Sequence, residues 1–263
     1  MKKRTLYLCV LYVITIAAIC FGTFRYLGRA AVTLDQDRFA LTFRDPDSTT
    51  VQKNLGPFDS IRIALSNADI ELYVTNDYSV TYQGSKQSCP TFTVRDGVLT
   101  AKEPSGAGNA ADVSSQTVII TIPKDRSELK ELSLSSDNGD LVVDPSQALT
   151  LDTVSMESEN GDLSLSDSRG KTLTAHTANG NISMDSILFP DSDIETENGD
   201  VTIKLADSLK NYTFSAKSGS GVVTIGDNSY SLGDGDHSSI QVGEGSQQMS
   251  LGSGNGDIDV EDQ

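Results

Sequence analysis

The stretch that decides the fold is "ESENGDLSLSD", Glu157–Asp167. Apolar and polar residues alternate on both sides of an Asn-Gly-Asp. Close relatives of the phrase recur along the chain as "SSDNGDLVVD", "TANGNISMD", "TENGDVTIK" and "GSGNGDIDVED". Aligned on the Asn, the anchors are Asn67, Asn138, Asn160, Asn179, Asn198 and Asn255, with Ser220 standing in once. From Asn138 to Ser220 the steps are 22, 19, 19 and 22 residues, a period typical of solenoids.

Five columns follow from this register. Six and four residues before the anchor, and three and five after it, nearly every coil carries an apolar residue. In the third repeat these are Val154, Met156, Leu163 and Leu165. Two before the anchor stands a small hydroxyl in every repeat but the first: Ser136, Ser158, Thr177, Thr196, Ser218 and Ser253. Period-2 alternation predicts two half-buried strands per repeat. The inward set changes parity between them, so a corner lies at the anchor. A glycine follows most anchors, which predicts positive φ there. Parity also predicts an inward-pointing Asn. A strand pair with one apolar face buries itself only by stacking on its neighbours. The expected architecture is all-β: a single-stranded β-solenoid, right-handed by the crossover rule, with stacked Asn and Ser/Thr side chains hydrogen-bonded between coils.

The chain has 263 residues, 37% hydrophobic, 6% aromatic and without Trp, which suits a narrow β core. The formal net charge of -17 argues against nucleic acid as a partner. The first 29 residues carry only basic charges, Lys2, Lys3, Arg4, Arg25 and Arg29, leaving a net of -22 on the remainder. After the basic leader, "LYLCVLYVITIAAICFGTF" (Leu6–Phe24) runs 19 residues without a charge. As a helix it would span about 28 Å, close to the hydrocarbon core of a bilayer. We read it as an uncleaved transmembrane anchor with the N-terminus cytoplasmic and the C-terminal domain extracellular; a cleaved signal peptide is the rival reading. Three segments result: residues 1–29 as leader and anchor, 30–56 as a membrane-proximal tether, and 57–263 as the solenoid ectodomain. Cys9 and Cys20 fall in the anchor and Cys89 alone in the outer part, so no intrachain disulfide is expected there.

Between Asn67 and Asn138 the spacing is 71 residues, which predicts extra coils or a cap. "YSVTYQG", "PTFTVRDGVLTAKE" and "SQTVIITIP" read as longer strands, "PSGAGNAADVSSQ" as a loop, and "GDNSYSLGDGDHSS" as a hairpin and loop before the last coil.

"FDSIRIALSNADIELYV", "DGVLTAKE", "TVIITIPKD" and then successive "NGD" coils, in this order, resemble the bacterial DUF4097 family, whose members are named as candidate adhesins. The likeness covers residues 56 to 263. With its basic leader and single span the chain is similar to the anchored proteins of Lia-type envelope-stress operons. The resemblance implies a β-solenoid on the outer face of a Gram-positive membrane and carries over no catalytic residue.

Several chemistries are excluded by residue type. Two histidines, His176 and His237, are too few for a zinc site. No GxSxG occurs, and "GVVTIGDNSYSLGDGD" lacks the Lys-Ser/Thr ending of a phosphate loop. A period of 19–22 is not the nine of calcium-binding nonapeptides. The reading is therefore a non-enzymatic surface protein, an interaction or sensing module of the cell envelope that meets the bilayer through its N-terminal helix and an envelope protein or cell-wall polymer through its solenoid. The alternative is a carbohydrate-active or cell-wall-binding β-helix protein. No cofactor is expected. One cation site is: Asp137, Asp140, Glu159 and Asp162 share outward offsets on consecutive coils, where weakly held Ca²⁺ would relieve their repulsion.

Overall fold

The computed structural model describes residues 30–35, 38–43, 48–105, 116–232 and 239–263. The predicted anchor Leu6–Phe24 lies outside the described residues, as do His237 and most of the 104–116 loop. No described helix is long and apolar enough to cross a membrane. The chain divides into two compact units, Met1–Ser48 and Thr49–Gln263. The first contributes one antiparallel hairpin, Ala30–Asp35 with Arg38–Phe43.

The second unit is a β-solenoid. Its repeats form seven coils, each a leading strand and a trailing strand joined at the corner. Coil 1 is Ser60–Leu65 and Asp69–Thr75, coil 2 Glu128–Asn138 and Leu141–Val143, coil 3 Leu149–Asn160 and Leu163–Ser166. Coil 4 is Ser168–Asn179 and Ile182–Ile187, and coil 5 is Asp191–Asn198 and Val201–Leu205. Coil 6 is the single strand Tyr212–Ile225, and coil 7 is Gln247–Asn255 and Ile258–Asp262. All coils pair in parallel with the anchors in register: Asn138 with Asn160, Asn160 with Asn179, Asn179 with Asn198, and Asn198 with Asn255. The four apolar columns are buried throughout; the exception in residue type, Ser192, is buried too and donates its hydroxyl to Phe189 O. Phe189, Ile187 and Leu205 add to the core.

Chain order is not spatial order. The 71-residue interval is not filled by coils between coil 1 and coil 2, because these two pair directly. Instead Val98–Lys102 and Thr117–Pro123 form a cap coil on the far side of coil 1. It is edged by the antiparallel strands Thr91–Arg95 and Ser79–Ser85. At the opposite end coil 7 inserts between coil 5 and coil 6. Coil 6 is closed by the expected hairpin, Asn228–Leu232, and by Ser239–Val242. The stack therefore reads cap, 1, 2, 3, 4, 5, 7, 6, with the first and last coils of the repeat each one layer inside an end.

The corner glycines meet the expected positive φ in part: Gly199, Gly221 and Gly256 have φ of 153–156°, where side chains are rarely tolerated, whereas Gly139, Gly161 and Gly180 do not have positive φ. What the position demands is the absence of a side chain. A Cβ on Gly161 would stand 2.1 Å from Gly139 O, and one on Gly180 2.1 Å from Gly161 O. The backbones of successive coils meet here, with Gly161 N donating to Asn179 O at 3.0 Å. Gly161→Ala should therefore lower stability by about 2 kcal/mol or more, the scale of overpacking a closed site. Gly56→Ala, where nothing lies within 4 Å of the added methyl, should stay within about 0.5 kcal/mol. Thermal melts of the two variants check this.

Candidate functional site

The outer face of the corner is the most regular surface of the protein. The residue before the anchor and the anchor itself both face outward: Asp137 and Asn138, Glu159 and Asn160, Glu197 and Asn198 are all exposed. The predicted inward Asn is thus wrong. Strand alternation ends at the buried hydroxyl two residues earlier, and the chain has already begun to turn. The predicted ladder nonetheless exists, on the outside. Asn138 Nδ2 donates to Asn67 Oδ1, Asn160 to Asn138, and Asn179 to Asn160, each at 3.0 Å. Asn198 continues it to Asn179 at 3.1 Å, Asn255 to Asn198 at 2.9 Å, and Ser220 Oγ donates to Asn255 Oδ1 at 3.1 Å. An amide suits this row because it donates to one neighbour and accepts from the other.

A second ladder runs inside it. Ser158 Oγ donates to Gly139 O at 3.1 Å, Thr177 to Gly161 O at 3.0 Å and Thr196 to Gly180 O at 2.9 Å. These hydroxyls satisfy the carbonyls against which the corner glycines pack, so no buried acceptor there is left unpaired.

The acids two residues after the anchor form a third ladder. Asp69 Oδ1 accepts the Asp140 backbone N–H at 3.0 Å, Asp140 Oδ1 that of Asp162 at 2.8 Å, and Asp162 Oδ1 that of Asn181 at 2.7 Å. Asn181 and Asp200 carry it on through Asp200 and Asp257. A bond from an N–H to a charged acceptor contributes about 1.5–3 kcal/mol. Repulsion between neighbouring carboxylates about 5 Å apart costs about 1–3 kcal/mol. The two are of one size, so the backbone hydrogen bonds offset the repulsion along the row.

The four predicted cation ligands consequently fall in two rows. Asp137 and Glu159 line a shallow groove of about 620 Å³ on the leading face, whereas Asp140 and Asp162 lie beyond the corner in the third ladder. Among the described residues no three His, Cys, Asp or Glu side chains are gathered to hold a metal ion. The groove also takes in Glu157, His176 and Glu195. His176 is half-exposed, its Nε2 3.3 Å from Asp193 Oδ2. Lys217 reaches across Gly252 to Glu195, Nζ to Oε1 2.7 Å, and a Cβ on Gly252 would stand 2.9 Å from Lys217 Cε. Between coils 1 and 2, Arg62 clasps Glu131 through two bonds of 2.7 and 2.5 Å and holds that carboxyl below its usual range. Residue spacing gives no signal for this pair, because it spans 69 residues. Cys89, the free cysteine of the described residues, packs against the core, and burial pushes its thiol up.

Stacked coils, three corner ladders and hairpin-closed ends define a β-solenoid. The profile described as Toastrack DUF4097 matches residues 58–204, more than half of the chain, and the protein belongs to this family. Among curated proteins none matches the sequence. Solved structures are similar to the chain at low identity. A candidate cell adhesion protein from Clostridium sporogenes has 13% identity and a TM-score of 0.48, covering 82% of this chain and 100% of its own. A candidate adhesin from Bacteroides fragilis has 15% identity and a TM-score of 0.46, covering 82% and 98%. A candidate lipid binding protein from Parabacteroides distasonis has 11% identity and a TM-score of 0.33, also covering 82% and 98%.

Asn160→Ala breaks two rungs of the exposed ladder and should cost about 1–2 kcal/mol, while Asn160→Ser, which keeps a donor as Ser220 does, should cost less. Asp162→Asn retains the acceptor, as Asn181 shows, and should be near neutral; Asp162→Ala should cost about 1 kcal/mol. Denaturant titration ranks the four. Calorimetric titration with Ca²⁺ should give only non-saturating heat, unchanged in Asp140→Asn/Asp162→Asn. A saturable signal lost in that variant would instead identify a bound cation.

Proposed function

We propose that the protein is a non-enzymatic module displayed on the outer face of a bacterial cell membrane. Leu6–Phe24 would anchor it as a membrane helix, with residues beyond about 30 outside and the solenoid winding right-handed. Its task is interaction or sensing in the envelope, where a stress response is the setting, and its partner is an envelope protein or a cell-wall polymer. The observation that supports this reading is the corner face: its amides and the acids two residues after them are consumed in holding coil to coil. That is the economy of a scaffold, whereas a catalytic site needs groups set aside for a substrate. The net charge of -17 keeps such a surface soluble and directs it away from polyanions.

Protease added to intact protoplasts should remove the solenoid and leave the anchor with the cells. Protection of the domain, or its recovery as a soluble mature form, would overturn the proposed placement. Pull-down with peptidoglycan, teichoic acid and detergent-solubilised membrane proteins then separates the classes of partner.

A further inference from the structure

A cavity lies away from the corner, where the repeat is broken. Its volume is about 720 Å³. It is assembled from residues 57–59 entering coil 1, Tyr78 leaving it, the Gly97 turn of the cap, residues 125–130 entering coil 2, and Thr150 and Asp152 of coil 3. Asp59, Lys130 and Asp152 stand at one offset on coils 1 to 3 and pair along the stack, Lys130 with Asp59 and Lys171 with Asp152, whereas Tyr78 and Arg126 belong to no repeated column.

The cleft has a rigid floor and a mixed polar rim. Phe58, 3% exposed, supports the Tyr78 ring edge-on, with centroids 4.8 Å apart and planes at 62°. Asp59 is fixed on every side: its N–H donates to Gly97 O at 2.9 Å, its carbonyl accepts Lys130 N–H at 2.7 Å, and its carboxylate meets Lys130 Nζ at 2.5 Å and Ser60 Oγ at 3.1 Å. The Lys130 ammonium holds that carboxyl below its ordinary range, so it stays an acceptor. Arg126 and the Tyr78 hydroxyl line the same cleft without a hydrogen bond or ion pair among the described residues. Partial burial raises the Tyr78 phenol, which keeps its proton as a donor.

An aromatic platform beside preset carboxylates and a guanidinium fork is chemistry suited to polyhydroxyl ligands. Hydroxyls both donate to carboxylates and accept from Arg and Lys, while the C–H face of a sugar ring covers the aromatic. Convergent polar groups around an apolar floor, in a cleft of this volume, are the general form of a small-ligand site. Charge selects within the class. The cleft holds more carboxylates than cations on a chain of net charge -17, so a polyanionic chain is repelled and an uncharged one is not. We propose that this cleft binds a neutral glycan, a short run of uncharged hexose or N-acetylhexosamine units, seated on Tyr78 and held by Asp59, Lys130 and Arg126. Its biological sense rests on the surface-module reading above; the binding itself does not.

The full chain in detergent micelles is titrated with tetra-N-acetylchitotetraose, maltotetraose and poly(glycerol phosphate), read by calorimetry and by tyrosine fluorescence. Saturable binding of at least one neutral oligosaccharide is expected. Arg126→Ala and Tyr78→Ala should each weaken it about tenfold or more, equivalent to about 1.4 kcal/mol, while Lys210→Ala, outside the cleft, should leave it unchanged. Tyr78→Phe keeps the ring on Phe58 and removes only the hydroxyl, so it should bind more tightly than Tyr78→Ala, and thermal melts on every variant separate loss of binding from loss of fold. Absence of saturable binding by both neutral sugars, binding indifferent to Arg126→Ala and Tyr78→Ala, or preference for the polyanion would each overturn the proposal. Because the purified protein is used, these outcomes are independent of which side of the membrane the domain occupies.

Discussion

The whole solenoid depends on a contact between two backbones. At the corner the carbonyl of one glycine faces the bare Cα of the glycine in the next coil, too close for any side chain. That approach holds successive coils at the sheet spacing of about 4.8 Å even where the chain bends. Three ladders are consequences of it. The buried hydroxyl of the following coil closes the glycine carbonyl, the amide column links outward side chains, and the carboxylate column catches the backbone N–H beyond the bend. Remove the close approach and all three lose their register together.

Identical corners also explain why the chain can stack its coils out of order. Coil 7 presents the same Ser253, Asn255 and Asp257 that any neighbour would present, and coil 5 receives it through the same bonds that join coils 3 and 4. Register is encoded in each coil rather than in the connections between them. The connections are thereby free to form hairpins and the cleft lined by Asp59, Tyr78 and Arg126. In this protein the regular part holds itself together, and the irregular part carries groups that nothing in the fold consumes.

The same division decides what could be read from residues alone. Columns such as Val154, Met156, Leu163 and Leu165 follow from alternation and are all buried. The hydroxyl and amide ladders follow from stacking. The side on which Asn160 lies did not follow, because parity assumes unbroken alternation, whereas Glu159 and Asn160 after the buried Ser158 are both exposed. The reason for Gly161 was also hidden: positive φ is a property of one residue, whereas the clash with Gly139 O belongs to two coils. Asp140 and Asp162 could be placed in an outward column, but their acceptor role depends on backbone N–H groups that a sequence does not display. The cleft was the least legible feature, since Asp59, Tyr78, Arg126 and Thr150 meet only after the cap has folded across coil 1.

Interleaving at the two ends of the stack bears on how the solenoid comes apart. A linear array ordinarily peels from its extremities, where an end unit has a single neighbour and opens at little cost. Here the outermost layers are loops of chain tethered at both sides, and coil 7 lies between two partners. An enzyme trimming residues from the carboxyl side would be pulling a course from inside a wall, with both adjoining courses to be breached before the first bond yields. Resistance of coil 7 to being peeled away is thus built into the order of threading.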